Sequence, residues 1–244
     1  MTVFYIDTEY NEGNYYIGDI FEVACLSSND KLFHSYINIP TNVSRYVQQL
    51  CDVDPSILRR SPSFNAVIDE LIEFITKEEI HGSQTTLIGH GAFLSDFPLI
   101  IANCMKNSYD HSSMKEFKFV DSMEAFRDGG YDRPGLDSLS TTRRTTHSAA
   151  QDVRLLKDIV STHHNIRYKL YTYDDILNHL AIKMPLTIRE IQAEAQKRCY
   201  EDFEQFLMKH VKMKTALNKN HLMKIVNRYY YDCLYIYDLA IVYI

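Results

Sequence analysis

The chain has 244 residues, 45% of them hydrophobic, and a formal net charge of −6, which is ordinary for a globular protein. The acidic balance argues against nucleic-acid binding through net charge, although it leaves room for a local basic groove. Five scattered cysteines without a CxxC pair, no signal-peptide pattern and no apolar run of about 20 residues lead us to expect an intracellular protein with reduced thiols, no zinc cluster and no membrane span.

Short apolar segments bounded by turn residues open the chain. They predict strands over 2–6, 19–27 and 31–39, and the turn at 28–30 suggests an antiparallel meander. Pro62 and Ser63 then open a helix with an apolar stripe at three- to four-residue spacing.

Strands and helices alternate over the next hundred residues. We expect strands over 86–88 and 117–120, helices over 94–105 and 149–160, and a loop over 127–135. This alternation predicts an α/β domain of residues 1–164. Residues 165–244 are predicted to form a mainly helical extension, over 188–211 and 222–244, that packs on the domain or binds a partner.

Two carboxylates, Asp7 and Glu9, follow the first predicted strand in the run VFYIDTEY. Positions i and i+2 of an extended chain face the same side. Like charges held that close disfavour joint ionisation, so we expect a cation between them. The sequence therefore predicts a metal site at this strand end.

Two later segments carry further residues of the same chemistry. IGHGAFLSDFPL places Asp96 near the start of a helix, and HSAAQD contains His147 and Asp152. Such element ends lie at the rim of a sheet, where ligands bind. Residues five apart lie about 140° apart on a helix, so we place His147 on the loop or cap before the helix that holds Asp152.

These residue types suit two-metal hydrolysis of a phosphodiester. Mg²⁺ prefers carboxylate oxygen, and two ions about 4 Å apart hold the attacking and leaving oxygens of an in-line displacement. The water needs a proton acceptor, for which His147 is the natural candidate. Structural interpretations compete: Asp152 is also an ordinary first-turn helix acid, and Asp121 is expected to cap a helix.

In this order and spacing the three motifs resemble those of the DEDDh 3′→5′ exonucleases, over about residues 2–163. DFPL six residues after His90, with FVDSMEAF and HSAAQDV, is similar to the three-prime repair exonuclease (TREX) branch. The resemblance implies a ribonuclease-H-like mixed β-sheet flanked by helices, and a homodimer formed by edge-strand pairing. A viral and a cellular origin are both compatible with it.

The resemblance also implies roles for single residues. Two Mg²⁺ or Mn²⁺ ions would be bound by Asp7, Glu9, Asp96 and Asp152; His147 would be the general base, and Thr8 would face the terminal nucleotide. The family's usual His-Asn is His90-Gly91 here, so a side-chain amide that helps to orient the substrate is missing. We expect His90 itself to be structural.

The residues around these motifs suggest substrate contacts. Tyr10 is a candidate for stacking on a terminal base. Arg143 and Arg144 are candidates for holding a phosphate, and solvated loop charges are the alternative.

The sequence thus predicts a metal-dependent 3′→5′ exodeoxyribonuclease that releases 5′-mononucleotides from single-stranded or frayed DNA ends. A DEDDh exoribonuclease acting on RNA and a polymerase proofreading subunit are the nearest alternatives. A non-catalytic nucleic-acid-binding module is the alternative of another class. Nucleus and cytoplasm are equally compatible with the sequence.

Overall fold

The computed structural model of the chain describes residues 1–11, 18–80, 82–140, 146–163 and 165–183. The chain divides into two compact units, residues 1–178 and 179–244, and the architecture below is that of the first. The predicted helices over 188–211 and 222–244 lie outside the described residues. In the part that is described, no helix is both long and apolar enough to cross a membrane.

A mixed five-stranded sheet forms the centre of the first unit. Its strands are β1 (Thr2–Tyr10), β2 (Ile20–Ser27), β3 (Leu32–Tyr36), β4 (Thr85–Gly89) and β5 (Lys118–Asp121), in the order β3-β2-β1-β4-β5. The first three strands pair antiparallel, which confirms the predicted meander, and β4 runs parallel to both β1 and β5.

Eight α-helices accompany the sheet in the described residues. They are α1 (Arg45–Cys51), α2 (Pro55–Leu58), α3 (Phe64–Glu78), α4 (Asp96–Lys106), α5 (Ser122–Asp128), α6 (Leu136–Leu139), α7 (Ala149–Thr162) and α8 (Tyr173–Lys183). Helices α3, α4 and α7 correspond to predicted helices. Helices α1, α2, α5 and α6 have seven residues or fewer, too few for a clear apolar stripe. Helix α8 lies within residues 165–244, which were predicted to be mainly helical, but outside the two predicted spans.

Local sequence explains where the long helices begin. Ser63 is the N-cap of α3, and its hydroxyl accepts a hydrogen bond from the Ala66 amide at 3.4 Å. The predicted start of α4 at Leu94 is wrong, because residues 91–95 form a turn and the helix begins at Asp96. Gly91 has a φ of +72° in this turn, a conformation that glycine adopts without steric penalty.

The two faces of the sheet are covered by different helices, which confirms the predicted mixed sheet flanked by helices. On one face, α7 packs against β1 and β2, around a core that includes Tyr5 and Val153. On the other face, Ile6 shares an apolar space with Leu71 of α3 and Phe97 of α4. Because side chains alternate along a strand, residues that follow Tyr5 at even spacing point towards α7.

We expect Leu71→Ala to destabilise the fold far more than Leu170→Ala. Leu71 is 2% exposed and lies within the core, whereas Leu170 is 55% exposed. Deletion of a buried leucine side chain costs about 2–5 kcal/mol, and an exposed one costs less than about 0.5 kcal/mol. Urea denaturation of the two variants measures the difference. Equal losses of unfolding free energy would contradict the packing described here.

Candidate metal centre

The site begins where β1 extends past its neighbour. The last paired residues of β1 and β4 are Tyr5 and Ile88, whereas β1 continues to pair with β2 as far as Tyr10. Asp7 and Glu9 therefore lie beyond the carboxyl end of β4, on the face of β1 that α7 covers. A register shift between Glu9 and Tyr10 ends the regular pairing directly after the second carboxylate.

Asp96 reaches the same strand end from the opposite face of the sheet. It lies in the first turn of α4 and is 5% exposed. Its Oδ1 accepts hydrogen bonds from the Thr8 amide at 2.9 Å and the Thr8 hydroxyl at 2.6 Å. Its Oδ2 accepts from the Ser95 hydroxyl at 2.7 Å. The Thr8 hydroxyl is thus engaged with a carboxylate, and its contact with a nucleotide stays a prediction.

The turn before α4 is organised by Asp121 at the end of β5. Its two carboxylate oxygens accept hydrogen bonds from the amides of Gly91 at 2.8 Å and Phe93 at 3.1 Å. The same side chain caps α5 by accepting from the amides of Met123 and Glu124, which confirms the predicted cap. Its hold on the turn that leads to Asp96 is a role that the sequence did not reveal.

The backbone conformation of this turn and the space around it both favour glycine at position 91. Its φ is positive, and a Cβ atom added there would lie 3.3 Å from the terminal methyl of Met123. Its amide is used by Asp121. The adjacent His90 Nδ1 lies 2.8 Å from the Ser122 hydroxyl, which donates to the Gly89 carbonyl at 3.0 Å. These contacts agree with a structural role for His90.

The N-terminus of α7 supplies the third part of the site. Asp152 lies in its first turn and is 4% exposed. His147 precedes the N-cap residue Ser148, as the spacing predicted, and its amide donates to the Leu50 carbonyl at 3.0 Å. One ligand atom from each of Glu9, His147 and Asp152 can be chosen such that all three lie within 4.8 Å of one another.

The carboxylates gathered here perturb one another strongly. Burial, then the charges of Asp96, Glu9, Asp152 and Glu22, raise the pKa of Asp7 well above its usual range. Burial and the charges of Asp152 and Glu22 raise the pKa of Glu9 to about 8. Burial also raises the pKa of Asp96 despite its hydrogen bonds. Without added positive charge, the folded site therefore favours protonated carboxyl groups at neutral pH.

Two residues that contact or face the site were not predicted from the sequence. Glu22 lies directly opposite Glu9 in the pairing of β1 with β2 and is fully buried. The Cys51 thiol at the end of α1 donates a hydrogen bond to Glu9 Oε2 at 3.5 Å. Glu22 stands inside the apolar run IFEVACLS, where only the pairing register shows that it faces a carboxylate.

Of the three other residues predicted to contact substrate, the structure describes one. Tyr10 ends β1 and is half-buried, with its ring against Gly18, where an added Cβ atom would lie 2.9 Å from Tyr10 Cδ2. Arg143 and Arg144 lie outside the described residues. Base stacking by Tyr10 and phosphate binding by the two arginines stay predictions.

The donor set fits a divalent metal ion. Carboxylate oxygens dominate it, one imidazole stands beside them, and the mutual repulsion of the acids is the feature that a cation would relieve. A hard ion such as Mg²⁺ or Mn²⁺ suits oxygen ligands, whereas imidazole suits softer ions better. The arrangement therefore provides a candidate metal site with a nitrogen base at its edge.

Comparison with known proteins shows the fold. The sequence matches no protein-family model and no curated protein. A solved 3′-exonuclease that recognises the 3′ end of a histone mRNA stem-loop superposes with a TM-score of 0.59 at 15% identity, over 70% of this chain and 89% of that chain. Cell-death related nuclease 4 (CRN-4) superposes with a TM-score of 0.58 at 12% identity, over 75% and 78%.

A third structure is the nuclease domain of 3′hExo, a DEDDh family member, bound to rAMP. It gives a TM-score of 0.57 at 17% identity, over 69% of this chain and 96% of that chain. At these identities the likeness shows a shared fold. The chain thus has the fold of DEDDh 3′-exonucleases, with acidic residues gathered at one edge of its sheet.

In the absence of divalent ions, we expect the fold to lose stability as the pH rises from about 4.5, the usual pKa of a glutamate, to about 8, the pKa of Glu9 in the folded protein. Folded Asp7 and Glu9 keep their protons to higher pH than the unfolded chain does, so the unfolded state binds fewer protons there. The unfolding free energy therefore falls by several kcal/mol across this pH range. Thermal unfolding in EDTA at several pH values measures this loss of stability. In separate samples without EDTA, added Mn²⁺ should raise the Tm most at pH 8.

Asp7→Asn provides the control for this prediction. It removes one charge from the cluster, so the pH dependence should flatten and the Mn²⁺-induced rise in Tm should shrink. A pH dependence and an Mn²⁺ response equal to those of the wild type would contradict the electrostatic coupling of Asp7 to its neighbours.

Proposed function

We propose that this protein is a divalent-metal-dependent 3′→5′ exonuclease that acts on single-stranded or frayed DNA ends. One observation carries the proposal: Glu9, His147 and Asp152 offer ligand atoms within 4.8 Å of one another, on a fold shared with 3′-exonucleases. Asp7 and Asp96 are coupled electrostatically to the same group.

In this proposal Asp7, Glu9, Asp96 and Asp152 hold two divalent ions, Mg²⁺ or Mn²⁺. When bound, such ions supply positive charge to the scissile phosphate and lower the pKa of water. The four carboxylates would place these ions, and through them the phosphodiester, at the end of β1. Thr8 fixes one of them from its backbone amide and its hydroxyl, so this acid needs little rearrangement when substrate binds.

His147 takes the proton of the attacking water on a ring nitrogen. Water oxygen bonds to phosphorus, and the bond from phosphorus to the 3′ oxygen of the preceding nucleotide breaks. The 3′ oxygen takes a proton from solvent to become a hydroxyl, and a 5′-mononucleotide leaves. The backbone of His147 is held by the Leu50 carbonyl, outside the helix that carries Asp152. In this position a ring nitrogen lies within 4.8 Å of ligand atoms of Glu9 and Asp152, close to where the proposed ions would hold the phosphate.

DNA is the proposed substrate because the DFPL and HSAAQDV segments are similar to the TREX branch. A site that binds phosphate and stacks a base reads no base edges, so we expect sequence-independent degradation. RNA is the second candidate, because one fold neighbour recognises a histone mRNA stem-loop and another binds rAMP.

The partner predictions belong to the same proposal. Among the described strands, β3 is the outer one on the side of β2, and we propose its edge as the place where a second copy pairs in a homodimer. Residues 165–244 are proposed as an extension that packs on the domain or binds a partner.

The test is time-resolved digestion of DNA and RNA oligonucleotides of matched sequence, labelled at the 5′ end, with Mg²⁺ or Mn²⁺ and with EDTA. We expect a ladder that shortens by single nucleotides from the 3′ end, faster on single-stranded DNA than on duplex DNA or RNA, and no products in EDTA. Internal cuts, or binding without cleavage, would refute the proposal. Faster digestion of RNA would select the second candidate.

Two substitutions on α7 provide a matched control for this assay. Asp152→Asn removes a buried carboxylate beside Glu9, whereas Asp158→Asn changes an exposed acid on the same helix. The first should abolish digestion and weaken Mn²⁺ binding measured by calorimetry, and the second should leave both unchanged.

We expect His147→Ala to separate binding from catalysis. The carboxylates remain, so Mn²⁺ affinity should stay close to that of the wild type, whereas kcat should fall by about 10²–10⁴-fold, as for loss of a general base. Calorimetry and steady-state digestion measure the two quantities. Turnover equal to that of the wild type would remove His147 from the mechanism.

A further inference from the structure

Glu22 is a buried carboxylate whose contacts reach beyond its own strand. It is 0% exposed and lies on β2, opposite Glu9 of β1. Its Oε1 accepts hydrogen bonds from His34 Nε2 at 2.9 Å and from the Ser148 hydroxyl at 3.0 Å. Its Oε2 has no hydrogen-bond partner among the residues that the structure describes.

Ser148 departs from the usual behaviour of a helix N-cap. A serine at this position normally caps the helix with its hydroxyl, but no such side-chain bond forms at the described start of α7. The Ser148 carbonyl accepts the amides of Gln151 and Asp152 at 2.9 Å each. The hydroxyl is instead directed across to Glu22, so the bond joins the start of α7 to the sheet.

This bond lies one residue from the proposed general base. The His147 amide donates to the Leu50 carbonyl at 3.0 Å, and the next residue is held by Glu22. The chain around His147 is therefore fixed at two successive residues, to α1 by its backbone and to β2 by the Ser148 side chain. A ring nitrogen of His147 lies within 4.8 Å of ligand atoms of Glu9 and Asp152.

We propose that Glu22 is a positioning residue that, through Ser148, holds His147 in place beside Glu9 and Asp152. The inference deepens the proposed function and rests on it for its kinetic consequences. The carboxylate does not touch the substrate. It sets the position of the segment from which His147 takes a proton, and small displacements of a catalytic group reduce the rate strongly.

A plain alternative is that Glu22 only stabilises the sheet by pairing with His34 on β3. Such a cross-strand pair functions at an exposed position without the penalty of burial. Neither the full burial of Glu22 nor the diversion of the Ser148 hydroxyl from its capping role follows from that alternative. Both follow if the bond to Ser148 is the one that matters.

Four variants test the proposal. Ser148→Ala and Glu22→Ala each remove the hydrogen bond between Ser148 and Glu22, so kcat on a short single-stranded oligonucleotide should fall by about 10- to 100-fold. In Ser148→Ala, which keeps the charge of Glu22, KM and Mn²⁺ affinity should change by less than about threefold. Glu22→Gln keeps an oxygen acceptor for Ser148 and should recover most of kcat. His34→Ala removes the other donor to Glu22 and should lower the Tm but not kcat.

A second measurement does not depend on nuclease activity. In protein with isotopically labelled histidine, the ring signals of His147, assigned with His147→Ala, should shift or broaden in Ser148→Ala and Glu22→Ala. They should stay at the wild-type positions in Glu22→Gln and His34→Ala. If the wild type degrades no nucleic acid, the proposed function fails, and these signals still decide whether Glu22 positions His147.

Three results would overturn the inference. The first is wild-type kcat and unchanged His147 signals in Ser148→Ala. This variant keeps the buried carboxylate, so it tests the hydrogen bond between Ser148 and Glu22 even if Glu22→Ala does not fold. The second is a Glu22→Gln variant as impaired as Glu22→Ala, since charge and not the hydrogen bond would then matter. The third is a loss of kcat in His34→Ala equal to that in Ser148→Ala.

Discussion

The repulsion among carboxylates at the end of β1 is the constraint on which the rest of the site depends. Asp7 and Glu9 share one face of the strand, and the charges of Asp96, Asp152 and Glu22 all act on Asp7. Placing several acidic side chains together destabilises a fold, because each carboxylate loses its hydration and is repelled by the charges of the others. The apolar layers on both faces of the sheet therefore supply the free energy that keeps these groups together, and protons or cations relieve the repulsion that remains.

The topology explains how residues so distant in sequence meet at one place. Parallel pairing of β1 with β4 stops at Tyr5, while antiparallel pairing with β2 continues to Tyr10, so β1 extends past the end of β4. Helix α4 brings Asp96 to this part of β1 from one face, where it binds Thr8, and α7 brings Asp152 from the other. Thr8, which points away from Asp7 and Glu9, connects the faces because its amide and hydroxyl both bind Asp96. A single strand thus carries two candidate ligands and positions a third.

Sequence patterns predicted the parts of this site that depend on local geometry. The alternation of a strand is enough to place Asp7 and Glu9 on one side, and the apolar stripes of α3 and α7 are enough to define those helices. Helix α1 has only seven residues, so the contact of its Cys51 with Glu9 follows only from tertiary packing. The position of Glu22 depends on strand register, since a shift of one residue would turn its side chain to the other face. The helix-capping role of Asp121 is local and was predicted, whereas its bonds to Gly91 and Phe93 join segments that only the fold brings together.

Hydrogen bonds hold Asp96 and His147 in different ways. Those of Asp96 are made to its side chain, whereas those at His147 are made to the chain around it. Asp96 is fixed by three donors from neighbouring backbone and side chains, so its position is set before any ion or substrate arrives. His147 is held through its backbone amide and, one residue on, through the Ser148 side chain, and a ring nitrogen lies within 4.8 Å of ligand atoms of Glu9 and Asp152. A general base has to be held beside the attacking water, just as the ligands have to be held beside the metal ions. Hydrogen bonds at the start of α4 and ahead of α7 meet these two requirements on separate elements of the same fold.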